Sequence, residues 1–286
     1  AGGIPQSRSQ TIKLCDGTEW MYGHEAVQMS RIVMRPEDRQ WYDSREYAIL
    51  LVASLHEIMQ ANHKSADKYY VVTGLPVMFY DDKTNVEQIF LGEHCCYEDD
   101  KKTTYNIVNC RVIPQPFGTL LNYCLDNDGD IYDAEMARST VGIIDCGGKT
   151  TNILTASKMK EVARLTTSVN IGGWDIVRSV RNSLNAVYPE LDLRDSELVD
   201  AIIENKIKMF GKERDISEIV TAAISPFAET IIASATQLWN SGASIDRILL
   251  TGGASAWVYP WIRSRYPHVT LAPESVTANV AGYCKF

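Results

Sequence analysis

The sequence predicts an α/β fold in two domains, and three observations support this. Stretches with strand spacing and stretches with helix spacing alternate along the 286 residues. A chain of this length can form two domains, and its 45% hydrophobic content is ordinary for a globular protein. The strand pattern also starts afresh at Val141, after an acidic segment. We therefore expect one domain over residues 1–138 and a second over residues 139–286.

The first half contains strand and helix patterns in a clear order. A hairpin is predicted from "TIKLC" and "TEWMYG" around a turn of Asp16 and Gly17. A helix is predicted over Ser44–His63, because apolar residues recur there at helical spacing behind Ser44 as N-cap. The elements that follow are a strand in "KYYVVTGLPV", a strand pair around "TTYNIVNCRVIPQP" and a helix in "FGTLLNYCL".

The second half begins with strands and continues with helices. One strand ends at Asp145, and after a Gly-rich turn "TNILTAS" and "KMKEVARLTTSV" are predicted as further strands. Gly172 and Gly173 precede an amphipathic helix in "NIGGWDIVRSVRNSL". Two helical stretches follow, "DSELVDAIIENKIKMFG" and "SEIVTAAISPFAETIIASATQLWNS", and Pro226 is expected to kink or split the second. A buried strand in "DRILLTGG" and a helix in "SVTANVAGYCKF" come last.

The segment "VGIIDCGGKTTN" contains Gly-Lys-Thr, the end of a P-loop motif, but it is not a P-loop. With Gly148, Lys149 and Thr150 as its end, the motif G-x-x-x-x-G-K-[ST] requires glycine at position 143, which is Ile143. A P-loop also runs into a helix, whereas the residues after Thr150 are rich in β-branched side chains. The segment is therefore predicted to be a strand, a Gly-rich turn and a second strand.

The charge and hydropathy of the chain limit the partners and the compartment that we expect for it. A formal charge of -8 and a pI near 5.2 argue against direct binding of nucleic-acid phosphates, which requires a basic surface. The sequence has no uninterrupted apolar run long enough to span a membrane, and "AGGIPQSRSQ" lacks the apolar core of a signal peptide. We expect a soluble, cytoplasmic protein without membrane contact.

Two patterns that resemble metal sites are better explained without a metal. His94, Cys95 and Cys96 are consecutive, but adjacent strand residues point to opposite faces, so the two cysteines cannot easily share an ion. All 7 cysteines are expected to be reduced thiols. The acidic loop Asp126–Glu135 has Gly129 at its fourth position, where a calcium-binding EF-hand loop needs glycine at its sixth.

Two glycine turns, each at the end of a buried strand, are the strongest indication of a binding site. One follows Asp145 and the other follows Thr251. Glycine leaves backbone N–H groups bare, so such turns can approach a phosphate or a nucleoside. Lys149 and its neighbouring threonines add a positive charge and hydroxyl donors. Asp145 could hold a hydrated Mg²⁺ ion, which keeps most of its water ligands.

Six segments carry a family resemblance, and the order of four motifs among them is specific. "IIDCGGKTTN" is similar to a second phosphate motif, "ILLTGGAS" to an adenosine motif, and "RVIPQPFGTLL" and "VTANVAGYCKF" to two connecting segments. "YVVTGLPV" and "VNIGGWDI" match the glycine turns of a first and a second domain. The matches extend over Tyr69–Phe286. The sequence thereby resembles the actin-like ATPases, most closely the ParM/StbA plasmid-segregation branch of bacterial and archaeal actin-like proteins.

The resemblance implies an actin-like fold in which two ribonuclease-H-like halves enclose ATP or ADP and Mg²⁺, with the C-terminal helix returning toward the first domain. It implies that Gln115 orients the attacking water and that Asp145 contacts the water shell of the metal. It also implies a set of nucleotide-binding residues. These are Gly147, Gly148, Lys149, Thr150, Thr151, Gly172, Gly173, Lys206, Gly252, Gly253 and Ala254.

The chain departs from the family pattern at two places. Asn152 stands where the second phosphate motif often has aspartate. The first phosphate motif, a hairpin with D-x-G-x-x-x-x-K at the N-terminus, is missing from the sequence. We expect about 25 to 35 residues, the size of two strands with their turns, to precede Ala1 in the native protein.

The expected function is that of a cytoskeletal ATPase that forms nucleotide-dependent filaments. By resemblance, such filaments segregate plasmid DNA through a DNA-binding adaptor at a centromere-like site, which suits an acidic chain. A small-molecule kinase of the same superfamily is an alternative. It would need a carboxylate as general base near the γ-phosphate, for which the sequence offers no clear candidate, and Gln115 cannot serve as that base. A non-polymerising regulatory module is another alternative, because the first phosphate motif is missing.

Overall fold

The computed structural model describes residues 10–29, 39–62, 66–98 and 100–286. The chain forms two compact units. The first consists of Ala1–Val71 with Asp82–Arg111, and the second of Val72–Asp81 with Val112–Phe286. Residues 112–138 thus pack within the second unit. The division into functional domains at residues 138 and 139 stays a prediction.

The first unit is built on an antiparallel sheet with helices. The strands lie in the order β2-β1-β4-β5-β3, and the last residues of β3 and β5 belong to the second unit. The elements are β1 (Thr11–Leu14), β2 (Glu19–Met21), α1 (Gly23–Met29), α2 (Arg45–Asn62), β3 (Tyr69–Leu75), α3 (Lys83–Phe90), β4 (Gly92–Glu98) and β5 (Lys101–Pro114). The predicted hairpin, helix and strands are confirmed, and His63 lies outside the described residues.

A disulfide joins Cys15 to Cys95 in the first unit. Strands β1 and β4 are antiparallel with Leu14 opposite Cys96, so the same register brings Cys15 opposite Cys95, with Cα atoms 5.8 Å apart. That spacing suits a disulfide. The expectation that all cysteines are reduced is therefore wrong for this pair, because residues 80 positions apart become neighbours only through strand pairing.

Replacing Cys15 with serine is expected to lower the free energy of unfolding by about 2 to 4 kcal/mol, because the cross-link restricts the unfolded chain over a long loop. Urea unfolding with and without reductant measures this. Cys284→Ser, which changes an exposed free cysteine, is the control and is expected to have little effect. A parental protein that unfolds at the same urea concentration with and without reductant would show that the pair is open in solution.

The second unit contains a mixed sheet in the order β13-β12-β6-β7-β8, with β9 paired to β7. Strand β12 is parallel to β6 and to β13, whereas β6 and β7 form an antiparallel hairpin. The elements are α4 (Gln115–Cys124), α5 (Ala134–Arg138), β6 (Thr140–Cys146), β7 (Thr151–Ser157), β8 (Lys160–Glu161), β9 (Thr167–Val169), α6 (Gly173–Val187), α7 (Asp195–Glu204), β10 (Lys206–Met209), β11 (Lys212–Asp215), α8 (Ser217–Trp239), β12 (Arg247–Thr251), α9 (Ser255–Arg265), β13 (Val269–Leu271) and α10 (Ala278–Cys284).

Both faces of this sheet are buried, which explains the continuous apolar sequence of β6. Ile144 and Cys146 pack with helices α6 to α9 on one face. Val141 and Ile143 pack with α4 and α5 on the other. Side chains alternate between the faces of a strand, so a strand covered on both sides is apolar at nearly every position, and Asp145 near the end of β6 is a buried exception.

Two predictions for this unit are wrong in detail. The segment predicted as one strand, "KMKEVARLTTSV", forms the short strands β8 and β9 with a 3-10 turn between them. The second half of "DSELVDAIIENKIKMFG" is not helical. Asn205, in the left-handed conformation with φ 56°, ends α7, and the chain continues into the hairpin of β10 and β11. The alternation of exposed and buried residues over Lys206–Met209 is that of a strand.

Helix α8 continues through Pro226 as one helix of 23 residues. Among the described helices it alone is long and apolar enough to cross a membrane by length and composition. Eight of its side chains are buried in the core of the second unit, so it is mostly a core helix. They are Val220, Ala223, Ile224, Phe227, Ala228, Ile231, Ala235 and Trp239.

Candidate functional site

The Gly-rich turn between β6 and β7 is closed by a hydrogen bond from the Gly147 N–H to the Thr150 carbonyl, at 3.0 Å. Its own carbonyls accept bonds from the start of α6. The Gly173 N–H donates to the Gly147 carbonyl at 2.8 Å, and the Trp174 N–H donates to the Gly148 carbonyl at 3.0 Å. The turn predicted to hold phosphate and the turn that opens α6 are thus joined backbone to backbone.

Gly172 has no room for a side chain at this junction. A β-carbon on Gly172 would overlap the carbonyl of Gly148 and crowd the Lys149 backbone nitrogen. The hydroxyl of Thr151 donates to the Ile171 carbonyl at 3.0 Å, which ties the same two segments together again. Glycine at position 172 therefore allows the two turns to meet.

The third turn, after β12, reaches the same place. Gly252 has φ +90°, and a β-carbon there would lie 2.6 Å from the Asp145 Oδ1 atom. The Ala254 N–H donates to the Cys146 carbonyl at 3.0 Å. A β-carbon on Gly253 would meet nothing within 4 Å, so this position borders open space. Three turns from distant parts of the sequence thus converge at the end of β6.

Asp145 lies at the centre of this convergence and is 4% exposed. It stands beside Thr251 on β12 and opposite Asn152 on β7. Burial raises the pKa of its carboxyl to about 6, although a hydrogen bond from Asn279 opposes the rise. The bond runs from Asn279 Nδ2 to Asp145 Oδ2 at 2.9 Å.

Asn279 is a residue that the sequence reasoning missed. Its Oδ1 atom accepts hydrogen bonds from the Thr119 N–H at 3.1 Å and from the Thr119 hydroxyl at 2.8 Å. The Thr119 hydroxyl also lies 3.2 Å from that of Thr251. Asn279 thereby connects α4 and β12 to Asp145. The detectable signal was a single amide on an otherwise apolar stretch of the last helix.

Helix α4 carries Gln115 and helix α10 carries Asn279, and the two helices pack closely. A β-carbon on Gly282 would overlap the Gly118 carbonyl, so the two backbones touch without a side chain between them. Gln115 is the first residue of α4, and its carbonyl accepts a bond from the Tyr283 hydroxyl at 3.1 Å. The Gln115 Cγ atom is also close to Gly74, the glycine of the Gly-Leu-Pro turn.

Asn152, the departure from the family pattern, accepts two hydrogen bonds through its side-chain amide oxygen. Its Oδ1 atom accepts from the Val77 N–H at 3.1 Å and from the Ser168 hydroxyl at 2.6 Å. The side chain is buried, so these bonds hold the segment after the Gly-Leu-Pro turn against β7 and β9. An amide at this position has a structural task in the second unit.

Most of the predicted site residues are brought together, and Lys206 is the exception. It lies on β10, where its Nζ atom pairs with Glu213 Oε2 at 3.1 Å rather than with any glycine turn. The prediction placed it on a helix, which is wrong. Lys149 is half-buried within the turn between β6 and β7. The assignment of these residues to nucleotide binding stays a prediction.

The residues present fit a hydrated Mg²⁺ ion. Mg²⁺ in proteins is usually held by one or two carboxylates, phosphate oxygens and several waters. Asp145 supplies one carboxylate, whose Oδ1 atom faces the Gly252 turn while Oδ2 bonds to Asn279. The bare glycine turns leave space beside it.

Two protein-family models match the sequence. The model described as "Actin like proteins N terminal domain" matches residues 2–118. The model described as "Archaeal actin homologue MreB-like, C-terminal" matches residues 143–262. Among curated proteins no match is found.

Three solved structures with a similar fold are distant in sequence. ParM in a 15-stranded filament from Clostridium botulinum is 22% identical with a TM-score of 0.76, over 96% of this chain and 83% of that one. Ta0583, an archaeal actin homologue in complex with ADP, is 19% identical with a TM-score of 0.75, over 96% and 87%. Bacillus thuringiensis ParM with AMPPNP is 15% identical with a TM-score of 0.66, over 93% and 79%.

Proposed function

The chain is an actin-like protein with the mixed α/β, two-domain fold of that family, and we propose that it binds and hydrolyses ATP and forms nucleotide-dependent filaments. The observation that carries the proposal is the convergence of three glycine turns on the buried Asp145. A space lined by glycine turns beside one carboxylate suits a nucleotide triphosphate with its metal.

Each turn has a distinct part in binding the nucleotide. Gly147–Thr151 cradles the β- and γ-phosphates, and the start of α6 at Gly172 and Gly173 lies near the ribose and α-phosphate. Gly252–Ala254 contacts the adenosine. These parts follow the family resemblance residue by residue, and the backbone hydrogen bonds between the turns support it because they hold all three in one arrangement. Ta0583 was solved with ADP and Bacillus thuringiensis ParM with AMPPNP.

Hydrolysis depends on placing a water molecule rather than on a strong base. Gln115 orients this water through its side-chain amide, and its position is fixed by Pro114 before it and by the Tyr283 hydroxyl on its carbonyl. Mg²⁺, when bound, neutralises charge on the phosphates. Asp145 would accept hydrogen bonds from the waters of that ion, and Asn279 holds the carboxylate in place.

We propose filament formation because the chain is an actin-like protein and because one solved structure with a similar fold is that of a filament, the Clostridium botulinum ParM filament. We propose that the filaments segregate plasmid DNA in the cytoplasm through a DNA-binding adaptor at a centromere-like site. The formal charge of -8 supports an adaptor, because an acidic chain repels the DNA phosphates. Functional domains over residues 1–138 and 139–286 are part of the same proposal.

Light scattering and pelleting with Mg-ATP, Mg-ADP and no nucleotide test this function. Pelleting that requires ATP and decays as ATP is consumed is the expected result. Tight ATP binding without pelleting in any state would favour a kinase or a regulatory module of the same superfamily. Absence of nucleotide binding would contradict the assignment of the three turns.

Replacing Gln115 with alanine is expected to slow ATP hydrolysis roughly 100-fold, because a water that is not oriented lies less often in line for attack on the γ-phosphate. ATP affinity should stay within about twofold and filaments should last longer, since Gln115 is not proposed to hold the nucleotide. Steady-state phosphate release and pelleting lifetimes measure the two effects. Gln237→Ala, at an exposed position of α8, is the matched control. Hydrolysis by Gln115→Ala at the parental rate would remove Gln115 from the mechanism.

A further inference from the structure

A row of polar side chains crosses the end of the sheet in the second unit. The strand pairing places Thr251 of β12 beside Asp145 of β6, and Asn152 of β7 between Asp145 and Ser168 of β9. The first three residues each lie two positions from a side chain that packs against α4, so they share that face of the sheet. Asn152 is 1% exposed. It is thus a buried amide next to the carboxylate of the proposed nucleotide site.

The side-chain oxygen of Asn152 fixes the orientation of the amide. Oδ1 accepts from the Ser168 hydroxyl at 2.6 Å and from the Val77 N–H at 3.1 Å. A backbone N–H only donates, so the atom that faces Val77 has to be the oxygen. Strands β9 and β6 lie on opposite sides of β7, and the oxygen is turned toward β9. The nitrogen Nδ2 is therefore turned toward β6 and Asp145.

This nitrogen is a donor without a partner. No residue in the described part of the chain accepts a hydrogen bond from Asn152 Nδ2. The Asp145 carboxylate bonds to Asn279 instead. Among the described residues that are not exposed, only the Tyr123 hydroxyl is both sealed from solvent and unpaired, so Asn152 Nδ2 borders open space. Buried amides are normally satisfied, which indicates that this donor bonds to a molecule that enters the site.

The chemistry of a bound nucleotide limits which oxygen can accept this bond. Waters on a Mg²⁺ ion direct their lone pairs at the metal, so they donate and suit the Asp145 carboxylate rather than the Asn152 amide. A γ-phosphate oxygen and the water that attacks it are acceptors, and ADP brings neither. Asn152 also directly follows Thr151, the last residue of the turn proposed to hold the β- and γ-phosphates. The donor thus suits the end of the nucleotide that differs between ATP and ADP.

The oxygen of the same amide holds the segment after the Gly-Leu-Pro turn. Val77 donates to Asn152, and the next residue, Met78, donates its N–H to the Ser168 hydroxyl at 3.1 Å. The segment Val72–Asp81 packs in the second unit, and the residues after it belong to the first. One amide therefore connects the proposed phosphate site with the segment that leads into the first unit.

We infer that Asn152 senses the end of the triphosphate: Nδ2 donates to a γ-phosphate oxygen or to the attacking water, and Oδ1 then holds Val77 more firmly. The inference rests on the proposed function and deepens it, because it assigns the discrimination of ATP from ADP to one side chain. It also gives the amide at this position a task that the aspartate of the family pattern could not perform, since an ionised carboxylate has no donor.

Asn152→Asp tests the donor, because the new carboxylate has nearly the same shape and can still accept from Val77 and Ser168. Isothermal titration with Mg-AMPPNP and with Mg-ADP measures the preference for the triphosphate. We expect this preference to fall about tenfold, equal to about 1.4 kcal/mol. Ser168→Ala is the matched control, because it removes a bond to Oδ1 and leaves the nitrogen unchanged. Its preference should stay within about twofold of the parental value.

ATP turnover by the same variants identifies the acceptor. A fall in preference assigns the bond to a γ-phosphate oxygen. An unchanged preference with hydrolysis about tenfold slower in Asn152→Asp assigns it to the attacking water. If preference and rate both match the parental protein, the inference is wrong and the ATPase function stands. A parental protein that binds no nucleotide would contradict the proposed function, and the inference with it.

Hydrogen exchange in the parental protein provides a measurement that does not depend on the folding of a variant. The amides of Val77 and Met78 should exchange more slowly with Mg-AMPPNP bound than with Mg-ADP bound, because the amide that holds them is then fixed at both ends. Asn152→Asp should lose this difference. Equal exchange of the two amides in both nucleotide states of the parental protein would overturn the inference.

Discussion

Replacing Asp145 with asparagine is expected to stabilise the protein above pH 6 while reducing Mg²⁺-dependent ATP hydrolysis roughly 10- to 100-fold. The gain in stability is expected because burial disfavours the charged carboxylate, which asparagine does not have. The folded state raises the pKa of this carboxyl from 3.8 to about 6 for the same reason. The loss of activity follows from its proposed contact with the waters of the metal. Stability and activity should therefore change in opposite directions.

The sign of the pH dependence follows from proton linkage. Between pH 4 and pH 6 the folded state holds the Asp145 proton more tightly than the unfolded state, so stability falls as pH rises through this window. Above the folded pKa, the ionised Asp145 lowers the free energy of unfolding by about 3 kcal/mol at most. Urea unfolding at pH 4.5 and pH 7.5 should show this decrease in the parental protein and a smaller one in Asp145→Asn. Equal pH dependence in both proteins would contradict a buried, titrating Asp145.

Replacing Gly172 with alanine is expected to abolish measurable ATP binding at micromolar concentration and to lower the free energy of unfolding by about 3 kcal/mol. The added β-carbon would overlap the Gly148 carbonyl, and backbone cannot move aside as a flexible side chain can. Overpacking of this kind costs about 1 to 3 kcal/mol. The phosphate turn must shift to relieve the overlap, and its N–H groups shift with it.

Gly253→Ala is the matched control for stability, because a β-carbon there would meet nothing within 4 Å. Thermal unfolding without nucleotide should therefore separate the two glycine variants, with Gly253→Ala close to the parental protein. Isothermal titration with ATP then measures binding to each folded variant. If Gly172→Ala binds ATP with parental affinity, the junction of the two turns is not part of the nucleotide site.

The glycine turns could be predicted because their signals are local. The strand that ends at Asp145 is apolar at nearly every position, and the turn after it contains paired glycines. The same holds for the strand that ends at Thr251 and for the helix that begins after Gly172. Each of these features occupies fewer than about 12 consecutive residues, so spacing alone reveals it.

The parts that could not be predicted depend on distant partners or on one backbone conformation. Asn279 acquires its role from Asp145 and Thr119, which are 134 and 160 residues away in sequence. The hairpin at Lys206 was predicted as helix because its apolar spacing continues that of α7. The helix ends at Asn205, which has the left-handed conformation. Asparagine can adopt this conformation, but nothing in the neighbouring sequence indicates that it does so here.

The fixed amide of Asn279 gives the Asp145 carboxylate two unequal oxygens. Since Asn279 Oδ1 already accepts from Thr119, the amide cannot rotate without losing two bonds, and Nδ2 stays on Asp145 Oδ2. Only Oδ1 is left to face the Gly252 turn. A carboxylate restricted in this way offers one oxygen to the waters of an ion and cannot readily clasp the ion itself with both oxygens. Calcium commonly uses such two-oxygen coordination, whereas magnesium does not need it. We therefore expect the site to select between the two ions by geometry rather than by charge.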